Sequence, residues 1–258
     1  MRHPRSGRHG AACVLLALLL AVPLPARAQD TTPPTADELA RRLASAEKVL
    51  ADWPNLARYR EANAELGPPE EGERRVVFYG NSITDAWARH FGDQFPGKPY
   101  VGRGISGQTT PQMLVRFRQD VIDLRPSAVV VLAGTNDIAG NTGPSTLQMI
   151  EDNLTSMVEL ARANGISVVL CSVLPAYDYP WRRGLQPAPK IVELNTWMKG
   201  YAAARGIVFV DYWSAMADDR KGLRADLTVD GVHPNEDGYK VMARLVEPAI
   251  EKALQGRE

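Results

Sequence analysis

Ser82 follows the apolar run Val76-Val77-Phe78-Tyr79 and a glycine, Gly80. Such a run, closed by glycine, reads as a strand buried on both faces. Gly80 lets the backbone turn without a Cβ clash, and residues 84–89 can begin a helix. Ser82 therefore stands between a strand and a helix, where open α/β sheets bind ligands beyond the carboxyl ends of their strands. A serine becomes a nucleophile at neutral pH only with a base beside it. His233, in Asp230-Gly231-Val232-His233-Pro234, is the candidate base. Asp230, three residues earlier in a glycine-containing turn, can hold the imidazole in the required tautomer. Two more segments, Gly102-Arg103-Gly104-Ile105-Ser106-Gly107 and Gly134-Thr135-Asn136-Asp137, offer glycine amides and a side-chain amide. Those are the donors that stabilise an oxyanion. Singly, each residue has an ordinary use: Ser82 as a helix cap, Asp230-Gly231 as a turn, His233 at the surface.

The elements that must bring these residues together follow from hydrophobic periodicity. Strands are expected at residues 75–79, 96–101 (short), 128–133, 166–173 and 207–210. Between them run helical stripes: Leu114, Phe117, Val121 and Leu124 after Pro111; Leu147, Ile150, Leu154 and Val158 after Pro144; Ile191, Leu194, Met198 and Tyr201. A last helix is expected over residues 236–254. Alternating strands and helices imply a parallel sheet with right-handed crossovers and helices on both faces. The four chemistry-bearing segments then lie on loops at one edge of that sheet.

With these four blocks in order, the sequence resembles the SGNH hydrolases, also called the GDSL esterase/lipase family. The matching residues are Ser82 in GNSIT, Gly104 in GRGISGQT, Asn136 in GTND and His233 in DGVHP. The resemblance covers residues 73–250. It implies a flavodoxin-like three-layer α/β/α sandwich with a five-stranded parallel sheet. It implies Ser82 as nucleophile, His233 as base and Asp230 as its orienting acid. The oxyanion hole it implies is the Ser82 amide, the Gly104 amide and the Asn136 side chain; the inventory of possible ligands implies no metal, and no cofactor is expected. Asn81 stands where the family usually has aspartate.

For substrate, the sequence suggests a short acyl group, acetyl first, on a carbohydrate or similar polar alcohol. The catalytic loops are small and polar, with no long apolar lid. The irregular stretch 175–189 holds Tyr177-Asp178-Tyr179-Pro180-Trp181-Arg182-Arg183, whose aromatics could stack on a sugar while Asp178 or an arginine bonds its hydroxyls. Asn81, Tyr177 and Trp181 are the candidate substrate contacts. The alternatives are a lysophospholipase or thioesterase acting on longer chains, and a binding protein of the same fold that has lost the reaction.

Arg2, Arg5 and Arg8, the twelve-residue apolar run 11–22 and Ala26-Arg27-Ala28 make residues 1–28 a signal peptide by pattern. The expectation is an exported protein, periplasmic or secreted, without stable membrane insertion after cleavage. Residues 29–72 read as a linker and helical N-terminal extension lying on the main domain, and 73–258 as the hydrolase domain. The Thr35-x-x-Glu38 pattern opens the first helix, with Leu39, Leu43, Ala46 and Leu50 as its stripe.

Without residues 1–28 the chain carries 26 basic and 30 acidic residues. That balance argues against general affinity for nucleic acid or anionic membrane. Only Cys171 remains there, which rules out an internal disulfide. It reads as an inert buried thiol. Other chemistries find little support. Gly102-x-Gly104-x-x-Gly107 has the dinucleotide spacing but follows only a short strand. No G-x-S-x-G occurs, and His90 and His233 alone do not make a zinc site. The natural ester and the oligomeric state stay open.

Overall fold

Five strands, β1 (Val76–Gly80), β2 (Tyr100–Gly104), β3 (Ala128–Leu132), β4 (Ser167–Cys171) and β5 (Val208–Val210), form one parallel sheet. Their order is β2-β1-β3-β4-β5. The structure, a computed structural model, describes residues 33–255; the expected signal peptide, residues 1–28, lies outside them. The helices in chain order are α1 (Ala36–Ala51), α2 (Arg60–Leu66), α3 (Ser82–Trp87), α4 (Phe91–Gln94), α5 (Thr110–Asp120), α6 (Thr135–Ala139), α7 (Leu147–Ala163), α8 (Ala188–Arg205), α9 (Tyr212–Met216) and α10 (Glu236–Gln255).

Side chains alternate across a strand, and here that alternation divides the core in two. Val77, Tyr79, Val129, Val131, Val168 and Leu170 face a cluster that includes Phe117 of α5, Leu154 of α7 and Leu194 of α8. Val76, Phe78, Val130, Leu132 and Cys171 face a second cluster with Trp87 of α3, Met216 of α9 and Val246 of α10. β1, β3 and β4, buried on both faces, need no polar alternation, which is why they read as continuous apolar runs. This is the expected three-layer α/β/α sandwich. Phe78 is the hub of the second face, with ring centroids 5.3 Å from Trp87 and 4.7 Å from Phe91. Such pairs add about 0.5–1.5 kcal/mol each beyond area burial, and here they pin α3 and α4 against β1.

Three expectations change at element level. β2 begins at Tyr100 and runs through Gly102-Arg103-Gly104, so the glycine motif is the end of the strand rather than a loop after it. Its register with β1 pairs Gly80 with Gly104. The helix expected from Pro144 begins instead at Leu147, because Thr146 Oγ1 accepts from Met149 N and caps it there. The helix after Pro111 ends at Asp120, and Leu124 lies in a 3-10 turn, although Val121 and Leu124 are buried as expected.

The chain divides after Ala44. On the near side of that point the described residues are the start of α1, capped by the expected bond from Glu38 N to Thr35 Oγ1 (3.2 Å). In the stripe of this helix, Leu39, Leu43 and Leu50 are exposed. Helical periodicity specifies a face but not a partner for it. The sheet and every residue expected to do chemistry belong to the larger unit, which begins at Ser45.

Candidate active site

Ser82 is the first residue of α3, and Asn81 is its cap, with the Asn81 side-chain oxygen accepting from Ile83 N (3.2 Å). Asn81 is 1% exposed. Its side chain serves as a buried cap of α3. Ser82 Oγ lies 2.9 Å from His233 Nε2. The other ring nitrogen, Nδ1, lies 2.7 Å from Asp230 Oδ2. The second Asp230 oxygen accepts from His233 N (2.8 Å) and Val232 N (2.9 Å). Gly231 makes this wrap possible, since it sits at φ +88°, a conformation glycine tolerates. Burial opposes charge on Asp230, but the hydrogen bonds from His233 and Val232 outweigh it and hold the carboxyl below its ordinary range.

The loop carrying His233 is itself tied down. Thr228 Oγ1 donates to His233 O (2.7 Å), and Val229 N donates to the same oxygen (3.0 Å). Tyr239 of α10 donates its hydroxyl to Ile83 O (3.0 Å), joining the histidine segment to the serine helix.

Gly104 ends β2 directly against the start of α3. A Cβ there would lie 2.2 Å from Asp85 N and 2.7 Å from Asn81 O, so only glycine lets the two backbones approach. Asn136 lies in α6, 2% exposed, with Nδ2 donating to Gln108 O (2.9 Å). Asp137 beside it accepts from Thr110 N (2.9 Å) and Thr110 Oγ1 (2.6 Å), tying α6 to the first turn of α5. Burial pushes its carboxyl above the ordinary value, although the Thr110 bonds pull the other way. The arrangement thus sets a hydroxyl, an imidazole and a carboxylate in one hydrogen-bonded chain. A hydroxyl next to a base that a third group orients can act as a nucleophile. Among the described residues, no group of three or more His, Cys, Asp or Glu is placed to hold a metal ion.

Residues 78–241 match the GDSL-like lipase/acylhydrolase family. The chain belongs to that family. A crystal structure of a GDSL-like lipase from Bacteroides thetaiotaomicron superposes with a TM-score of 0.76 at 48% identity, covering 78% of this chain and 100% of that one. A putative acylhydrolase from Bacteroides fragilis gives 0.77 at 50% identity, covering 79% and 99%. An acetylxylan esterase of Xylanibacter ruminicola is 26% identical over 224 residues, which is 70% of this chain and 44% of that protein. The chain spans about half or less of the length of the first curated relatives it matches.

Residues after β4 lie beside His233. Trp181, 45% exposed, has its ring 6.1 Å from that of His233. It stacks on Tyr179 at 5.0 Å and donates Nε1 to Asn141 Oδ1 (3.2 Å). Tyr177 is also exposed, but the Arg220 guanidinium covers its ring at 4.2 Å. Asp178, expected as a possible sugar contact, is used within its own loop, accepting from Gly184 N (2.8 Å) and Tyr179 N (2.9 Å). The Gly184 bond leads those that hold its carboxyl low.

Sequence reasoning placed the N-terminal extension on the main domain but did not find its partners, nor the buried Arg116–Asp120 pair behind the glycine block. Residues 53–63 dock there: Gln112 donates to Trp53 O (2.7 Å), Gln108 to Pro54 O (2.7 Å) and Gln119 to Leu56 O (2.8 Å). The Tyr59 hydroxyl donates to Gly104 O, and Asn63 Oδ1 accepts from Arg103 Nε (2.7 Å). Arg116 and Asp120 of α5, both fully buried, form an ion pair at 3.0 Å. The signal was present in the sequence. Arg116 and Asp120 fall on the same helical face as Met113 and Phe117, where apolar residues are the norm.

Proposed function

We propose that this chain is a serine esterase that removes short acyl groups, acetyl first, from carbohydrate esters. The observation that carries the reading is the unbroken chain from Ser82 Oγ through the His233 imidazole to Asp230. In the first half-reaction Ser82 Oγ attacks the ester carbonyl carbon while His233 Nε2 takes the hydroxyl proton. Asp230 holds Nδ1–H, so Nε2 is the free acceptor, and its charge stabilises the imidazolium. The oxyanion of the tetrahedral intermediate is held by the Ser82 amide, the Gly104 amide and Asn136 Nδ2–H. His233 passes its proton to the departing alcohol oxygen, leaving an acyl-serine. Water then attacks the acyl carbon, with His233 taking its proton, and the same steps in reverse order release the carboxylic acid and restore Ser82.

The substrate half rests on the exposed Trp181 ring beside His233, a platform suited to the face of a sugar. Two relatives named as acetylxylan esterases are in keeping with it. The longer-chain reading has its own support in the 48%-identical relative described as a lipase. The test is a p-nitrophenyl ester series run beside an acetylated oligosaccharide, with Ser82→Ala as control. Ser82→Ala should keep the fold and lose turnover by roughly 10³-fold or more. A kcat/KM that climbs from acetate to octanoate overturns the short-acyl reading, and wild-type turnover in Ser82→Ala overturns the mechanism.

A further inference from the structure

We propose that Arg116, buried behind the site and touching no substrate, is a positioning residue that sets and polarises the oxyanion hole. The proposal rests on the reading of Gly104 and Asn136 as oxyanion donors.

The guanidinium makes four hydrogen bonds, one to Asp120 and three to segments that hold or adjoin the expected donors. Nη1 donates to Arg103 O (3.0 Å). That carbonyl and the Gly104 N–H belong to one peptide group. A cation bonded to the C=O side withdraws electron density from the N–H side and strengthens it as a donor. Nη2 donates to Gly80 O (3.0 Å), the end of the strand that leads into Ser82. The same oxygen accepts from Ile105 N (3.1 Å), just past Gly104. One guanidinium therefore fixes the serine block against the glycine block. Nε donates to Gln108 Oε1, and the Gln108 backbone oxygen is the acceptor that orients Asn136 Nδ2. All three blocks that meet at the expected oxyanion are tied to one planar fork, whose geometry no lysine reproduces.

The surroundings make this fork rigid. Arg116 is 0% exposed, its charge is met by Asp120 at 3.0 Å, and the Tyr79 ring lies 4.3 Å beneath the guanidinium. Tyr79 is itself held by its hydroxyl bond to Met113 O (2.5 Å). Burying an ion pair gains little stability over apolar residues of the same size. The same stability would be reached more simply by a methionine pair, whereas the bonds to Arg103 O, Gly80 O and Gln108 have no apolar substitute.

That comparison supplies the test. The double variant Arg116→Met/Asp120→Met removes the charge pair together, so neither ion is left buried alone. Arg116→Lys keeps the charge but not the fork. For each, melting temperature, kcat and KM on p-nitrophenyl acetate, and Ki for a trifluoromethyl ketone that forms the serine hemiketal oxyanion are measured. The expected result is a folded double variant with KM within about two-fold of wild type. Its kcat and its affinity for the ketone should both fall, by about 10- to 100-fold, less than the ~10²–10³ of deleting an oxyanion donor outright. Arg116→Lys should fall in between. A purely structural role would lower the melting temperature and leave kcat and Ki alone, and that pattern in either variant overturns the proposal. Asn136→Ala separates the two ideas. If it leaves kcat and ketone affinity unchanged, the oxyanion assignment itself fails; if it lowers both while the Arg116 variants lower neither, only the role of Arg116 fails.

Discussion

Asp230 shows how one side chain answers for both the shape and the charge of the site. Its two oxygens take three donors from Val232 and His233, so the carboxylate fixes the turn as well as the imidazole. Those donors hold its pKa low in the folded chain. An acid whose folded pKa is depressed contributes stability that is present above the unfolded value, near 3.9, and lost as pH falls through the folded one. Asp230→Asn removes that contribution. The wild type should therefore melt above Asp230→Asn at neutral pH, and the gap should close on acidification below about pH 4. Melting curves of both proteins from pH 7 to pH 3 check this, and a gap that stays constant or widens with acid would refute it. In the same variant the Asn amide presents a donor or a weaker acceptor to Nδ1, so kcat should fall by about 10³–10⁴.

At the scale of elements, the site depends on how near β2 comes to α3. The sequence showed Gly104 as a motif residue but not why glycine is needed there. The reason is the 2.2 Å that would separate its Cβ from Asp85 N, a contact between strand and helix that no local pattern encodes. Gly104→Ala must push the two backbones apart. Overpacking of this kind costs about 1–3 kcal/mol, and it moves one expected oxyanion donor away from Ser82. A lower melting temperature together with a loss of kcat is the expected outcome; a variant as stable and active as wild type would mean that the approach is looser than it looks. The strands and main helices were legible because each carries its own period: β1, β3 and β4 as apolar runs, α7 and α8 as stripes. Less legible was what depends on neighbours. β2 was read as ending before its glycines, because an edge strand with Gly and Arg lacks the apolar signature. The proline at 144 reads as the helix start, whereas the cap that sets it, Thr146, shows only once its hydroxyl meets Met149 N. Arg116 and Asp120 were invisible as a pair because burial of a charge is decided by its partners, and those come from Gly80, Arg103 and Gln108.

Over the whole molecule, the topology delivers four segments to the carboxyl end of the sheet, and the chain after β4 lies beside them. Ser82, Gly104 and Asn136 come from the ends of β1, β2 and β3, and His233 from the segment before α10. Trp181 joins them through two bonds in series: its Nε1 to Asn141 Oδ1, and Asn141 Nδ2 to Gly107 O (3.1 Å), a residue of the glycine block. The indole can therefore act on the reaction in two ways, as a surface for the alcohol part of the substrate or as a brace for residues 104–108. The two roles separate by substrate and by substitution. If Trp181 is a sugar platform, Trp181→Ala should raise KM for an acetylated oligosaccharide several-fold, in line with about 0.5–1.5 kcal/mol of ring contact. It should leave p-nitrophenyl acetate, whose leaving group is not a sugar, nearly unchanged. Trp181→Phe keeps a ring but loses the bond to Asn141, so it should retain most of the oligosaccharide affinity. If the brace dominates, both variants should lose kcat on both substrates, because Asn141 and Gly107 are released in each. Unchanged kinetics in Trp181→Ala on the oligosaccharide would remove Trp181 from substrate recognition and leave the sugar half of the proposed function without its structural support.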